Sequence, residues 1–227
     1  MTTTLITGSN KGLGFEAARR LLAQGHDVWV TARDAQAGAK AAAELGARFV
    51  QLDVTDDASV AAAVATVGQL DVLVNNAGIT GTRKDVPDVT AEDLREVYDT
   101  NVFGAVRVLH AFLPLLLASG NGVVVNVASG LGSQAATHDP GRVESRVLAP
   151  AYCSSKSALV MVTTQYAKAL PALRINAVDP GYTATDLNGH SGTQTVTEGT
   201  DAIVAMATIG QDGPTGTFTD RDGTVPW

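Results

Sequence analysis

Tyr152 and Lys156 stand four residues apart in the run Pro150-Ala-Tyr-Cys-Ser-Ser-Lys156. On a helix this spacing puts a phenol and an ammonium on one face. A phenol can donate a proton, and a nearby ammonium favours the phenolate left behind. Bringing a phenol from its ordinary pKa of about 10 to neutrality takes about 4 kcal/mol of differential stabilisation. Taken alone, the pair reads equally as a core tyrosine beside a solvated lysine. Ser129, in Val127-Ala-Ser-Gly130, adds a hydroxyl directly after an apolar run. Asn101-Val-Phe-Gly104 places asparagine and glycine inside a helical stretch, where both lower helix propensity and so call for a compensating role.

A second kind of chemistry is written near the start. Thr7-Gly-Ser-Asn-Lys-Gly-Leu-Gly14 follows the apolar run Thr4-Leu-Ile6. Gly8 permits a tight turn, Gly12 a close approach of backbone to a pyrophosphate, and Gly14 close packing of helix on strand. The helix that follows would offer unpaired N–H groups to phosphates. No Gly-Lys-Ser/Thr follows, so this is not a Walker loop. An ordinary glycine-rich turn remains the competing reading of the loop by itself.

These groups need a frame, and the pattern supplies one. Strands are expected at Leu5–Ile6, Val28–Thr31, Arg48–Leu52, Leu70–Val74, Val123–Val127, Leu173–Val178 and Gly216–Thr219. Helices are expected over Gly12–Gln24, Ala35–Leu45, Asp56–Val67, Thr90–Leu117, Pro150–Leu170 and Glu198–Ile209. Thr90 with Asp93 reads as a capping box. The strands are apolar without alternation, as when both faces are covered. This predicts an α/β chain: one Rossmann domain over residues 1–227, with a doubly wound, mostly parallel, seven-stranded sheet and helices on both faces. The least regular segments, 130–149 and 183–197, follow strand C-termini, where open parallel sheets bind ligands.

The order of the motifs carries a resemblance. Thr7-Gly-x-x-x-Gly12-x-Gly14, then Asn75-Asn-Ala-Gly78, Tyr152-x-x-x-Lys156, and Pro180-Gly181 with Thr185 beyond resemble the short-chain dehydrogenases/reductases from Thr7 to Thr185. The resemblance implies a catalytic set of Asn101, Ser129, Tyr152 and Lys156. It implies a cofactor groove built by Gly8, Asn10, Lys11, Gly12, Leu13, Gly14, Asp53, Val54, Asn76, Ala77 and Gly78, with Tyr152, Lys156, Pro180, Gly181, Thr183 and Thr185. Ala32 stands where NAD-preferring relatives carry an acid, and Arg33 follows it. A guanidinium there suits a 2′-phosphate, with Lys11 as second cation, so the expected cofactor is NADPH/NADP⁺. One residue of misalignment would put Asp34 at that corner instead. Twenty-three positions separate Ser129 from Tyr152, more than in many of the family. The excess, Gln134–Arg146, resembles the carbonyl-reductase-like branch and is expected to border the substrate pocket and obstruct helix-bundle pairing. The open choices are monomer, dimer and tetramer.

Composition narrows the classes. With 227 residues and 45% hydrophobic side chains, the chain suits one large domain. A net charge of −7 argues against nucleic acid and anionic membrane surfaces as partners. One cysteine, Cys153, fits a reducing, cytoplasmic setting and is expected to be a small buried thiol. The apolar runs are expected to fall short of a membrane span. His26, His110, His138 and His190 lack metal-ligand spacing. No G-x-S-x-G elbow supports a hydrolase. The expected function is reduction of a ketone or aldehyde, with Tyr152 donating the proton and Lys156 lowering its pKa. The alternatives are an NADP-dependent alcohol dehydrogenase working oxidatively and a non-catalytic NADP(H) sensor. The small-molecule site is expected to be open and poor in apolar bulk.

Overall fold

The computed structural model describes residues Met1–Trp227. Seven strands form one sheet: β1 (Thr3–Ile6), β2 (Asp27–Ala32), β3 (Arg48–Gln51), β4 (Val72–Asn75), β5 (Val123–Val127), β6 (Arg174–Val178) and β7 (Phe218–Thr219). Their spatial order is β3-β2-β1-β4-β5-β6-β7, and every neighbouring pair is parallel. The order reverses between β1 and β4, where Ile6 pairs with Val30 on one side and Val74 on the other. That switch opens a crevice at the C-terminal edge of the sheet.

Both faces of the sheet are covered. Leu5, Leu73, Val124 and Ile175 turn to one side, against α3 (Asp57–Val67) and α5 (Ala105–Ala118), where Phe112 and Leu116 are fully buried. Ile6, Val74, Val125 and Val178 turn to the other, against α1 (Gly12–Ala23), α2 (Ala35–Leu45) and α9 (Asp201–Ala207). Each strand therefore needs apolar residues at successive positions, which is why the sequence shows unbroken β-branched runs.

Two expected helices are interrupted. The stretch expected as one helix over Thr90–Leu117 starts with the Thr90–Asp93 capping box, runs as α4 (Ala91–Tyr98), widens into a π-helical turn at Asp99–Gly104, and resumes as α5. Gly104 is needed there because a Cβ would fall 2.7 Å from Val54 Cγ2. Taken together, Ala91–Ala118 is long and apolar enough to cross a membrane, contrary to the expected short runs. Here Val97, Val108, Leu109, Phe112 and Leu116 bury its inner stripe in the domain. The expected last helix, Glu198–Ile209, is α8 (Val196–Gly199) followed by α9, broken at Thr200 where Gly199 presses on Thr183 and Leu13. The segment 130–149 holds a short helix, α6 (Gln134–His138), between turns at Gly130–Gly132 and Val143–Arg146. The long helix α7 spans Pro150–Ala169.

Candidate active site

The glycine loop is held from below. The Thr7 hydroxyl donates to Val74 O and accepts from Asn76 N at 2.9 Å and Ala77 N at 3.0 Å. Asn76 Nδ2 returns bonds to Thr7 O and Gly8 O. Gly8 and Gly12 both adopt left-handed backbone, at φ +61° and +58°. Gly14 is closed off differently: a Cβ would lie 2.6 Å from Asn76 Nδ2 and 2.8 Å from Ser9 Cα. Its role is close packing, and it does not itself line the groove.

At the start of α1, Lys11 is the N-cap and gives no side-chain cap. By contrast, Asp34 and Asp56 cap α2 and α3 by accepting from backbone N–H groups. A helix start without a cap, facing a groove, leaves donors and dipole for an anion. That groove is a cavity of about 690 Å³. Gly8, Asn10, Lys11, Gly12, Leu13, Arg33, Asp53, Val54, Asn76, Ala77, Gly78, Tyr152, Lys156, Pro180 and Thr185 all line it. The residues present thus fit a dinucleotide phosphate.

At the corner considered for a 2′-phosphate the two cations differ in their surroundings. Ala32 ends β2, and exposed Arg33 has no ion-pair partner. Asp34 is spent on the α2 cap, so the misalignment that would bring it to the corner does not arise. Lys11, however, is not free for a phosphate: its Nζ lies 2.7 Å from Asp186 Oδ2. Asp53 serves its own loop by accepting from Thr55 N and Oγ1. Burial works against its charge, but the Thr55 bonds and the Arg33 guanidinium outweigh it and hold the carboxyl below its usual range.

At the other end Tyr152 and Lys156 share one face of α7. Lys156 Nζ donates to Val127 O at 2.7 Å and sits 5.6 Å from the Tyr152 ring centroid. Burial pushes the Tyr152 phenol well above its ordinary value, the Ser129 hydroxyl pulls it back in part, and buried Asp179 adds to the rise. Lys156 sends no hydrogen bond to the phenol, since its ammonium is bonded to Val127 O. Its own ammonium is driven down to about 8 by burial, against the opposing pull of Asp179.

Asn101, 1% exposed, lines neither cavity. The π-helical turn aims it at the loop after β4. Its Oδ1 accepts from Ile79 N at 2.8 Å, and its Nδ2 donates to Ile79 O and Ser155 Oγ. It thereby fixes Gly78, where a Cβ would lie 3.3 Å from Asn101 Oδ1 and 3.6 Å from Lys156 Nζ.

A second cavity, about 520 Å³, adjoins the first, and Tyr152 lines both. Ser129, Gly181 and Thr183 border this one instead of the groove. Thr183 is itself buried and bonded to Pro180 O. The expectation of little apolar bulk is corrected here. Leu131, Val143, Val147, Leu148 and Leu187 come from the two expected segments, and Val89 and Val97 from a third wall. That wall, with Thr80–Lys84, was missed although it also follows a strand C-terminus. The 134–146 insertion divides in two. Val143 and Glu144 reach the cavity, whereas α6 faces away: Ser133 Oγ donates to Pro226 O and Ala135 N to Trp227 O. Cys153 is half-buried, not buried, and burial pushes its thiol up.

A family model described as short chain dehydrogenase matches residues 2–196. A (+)-neomenthol dehydrogenase from Capsicum annuum is 30% identical, over 94% of this chain and 94% of its own. The short-chain dehydrogenase anuI of Penicillium roqueforti is 37% identical, over 91% of this chain and 88% of its own. The solved structure of NADPH-bound carbonyl reductase from chicken fatty liver superposes with a TM-score of 0.85 at 27% identity, covering 100% of this chain and 98% of that one.

Proposed function

The chain belongs to the short-chain dehydrogenase family, whose chemistry is nicotinamide-dependent oxidoreduction between carbonyls and alcohols, and we propose that it works as an NADPH-dependent reductase of ketones or aldehydes. The observation that carries this reading is the position of Tyr152, which forms part of both the glycine-loop groove and the apolar cavity. A proton donor at that junction can reach a carbonyl oxygen held in one cavity beside a cofactor held in the other.

NADPH, when bound, supplies the hydride. The chain's own groups handle the oxygen. Ser129, whose hydroxyl already acts on the Tyr152 phenol, holds the carbonyl oxygen. Tyr152 enters the reaction protonated, because burial raises its pKa, and it donates that proton. The phenolate that forms needs a counter-charge in a dry site, and the Lys156 ammonium over the ring provides it. Lys156 uses one N–H on Val127 O, leaving two for the ribose hydroxyls of the nicotinamide half. Asn101 acts one step removed, as a positioning residue that bonds the Ile79 backbone and so holds the Gly78 turn beside Lys156. Arg33, which lines the groove without an ion-pair partner, would take the 2′-phosphate.

The test is NADPH oxidation against a panel of ketones and aldehydes, with the reverse reaction run on the product alcohols. Turnover of NADPH in preference to NADH supports the reading. Tight NADPH binding with no turnover of any carbonyl or alcohol would replace it with a sensor.

A further inference from the structure

Three cations line the glycine-loop groove: Lys11, Arg33 and Lys156. They are not equivalent. Lys156 is buried and bonded to Val127 O, and Arg33 stands free. Lys11 is engaged across the groove with Asp186, a residue on the opposite wall that follows β6. The walls already approach here, since a Cβ on Gly12 would come within 3.8 Å of Thr185 Cγ2. Asp186 has a second partner, His190 Nε2, 2.8 Å from its Oδ1. His190 takes the only left-handed backbone outside glycine, φ +61°, and so presents its ring to Asp186 at some cost. When Lys11 leaves, the carboxylate keeps a neighbour.

Resting on the NADPH reading, we propose that Asp186 is a cofactor-discriminating residue. It holds Lys11 as an internal counter-ion until a 2′-phosphate takes the ammonium from it. A dinucleotide lacking that phosphate offers Lys11 nothing at this position and leaves the pair intact. Both partners are more than half exposed, so the exchange involves little desolvation and its effect is modest.

The experiment is calorimetric titration of NADP⁺ and NAD⁺ into the wild type, Asp186→Asn, Lys11→Met and the double variant, at one low salt concentration. Asp186→Asn is expected to tighten NADP⁺ binding by about two- to fivefold, and to leave NAD⁺ within about 1.5-fold. Lys11→Met is expected to weaken NADP⁺, and adding Asp186→Asn to it should change nothing further. The proposal is overturned if Asp186→Asn leaves NADP⁺ unchanged or weakens it. Equal tightening of both cofactors, or tightening that persists without Lys11, overturns it as well. Failure of the underlying reading looks different: the wild type would bind NAD⁺ as tightly as NADP⁺, and Arg33→Ala would not alter the ratio.

Discussion

The two cavities that meet at Tyr152 are built on different principles. The groove is a backbone construction. Thr7, Asn76 and Asn101 spend most of their hydrogen-bonding capacity on main-chain atoms, and its glycines are fixed by φ or by contact. The apolar cavity is a side-chain construction. Leu148 is 79% exposed, Val143 56% and Leu187 43%, and they border it from segments with little regular structure. Interlocked bonds leave the groove few ways to change, whereas loosely held apolar side chains can be exchanged at little structural cost. One half is made to keep a ligand, the other to vary one.

Substitutions can break this contrast, beginning where both halves meet. Tyr152→Phe should lower kcat by about a thousandfold while NADPH titration shows unchanged binding. Equal loss of binding would show that the phenol belongs to the groove alone. Gly14→Ala drives a methyl group into Asn76 and Ser9 and should destabilise the fold by about 2–3 kcal/mol, read as a fall in Tm. A neutral result would show that the groove yields as easily as the cavity. Arg33→Ala should weaken NADP⁺ about tenfold or more and spare NAD⁺, as expected for one charge-assisted contact.

The pH profile sharpens the comparison further. The Lys156 ammonium is complete below its pKa of about 8 and is lost above it, before an ordinary lysine would titrate. Reduction should therefore fall as pH rises through about 8, in kcat more than in KM, because the lysine faces the phenolate formed during the reaction. Smallest of all, Leu148→Ala should change stability by less than about 0.5 kcal/mol, because the side chain is mostly exposed. Its effect should appear in KM for bulky apolar ketones and vanish for small ones.

The same contrast explains what the sequence made readable. Gly8, Gly12 and Gly14 could be assigned roles because backbone conformation and close approach restrict which residue can stand there. The apolar strands were readable because two covered faces impose one composition. The third wall of the apolar cavity was not, since nothing local in Val89 and Val97 tells a core valine from a lining one. The placement of Val97 follows from how α4 packs against α7. The Lys11–Asp186 pair spans most of the chain, and no local pattern brings such residues together. The direction taken by the Lys156 ammonium was not readable either. Four-residue spacing sets two side chains on one face, but it does not say that the longer one will reach a carbonyl on β5.

The split insertion has a consequence for how this chain could change. α6 is tethered to Pro226 and Trp227 through Ser133 and Ala135, so lengthening or shortening the span from Asp139 to Arg146 is confined to one rim. A new preference in what the enzyme transforms could be written into those few residues, with the nucleotide half left as it stands.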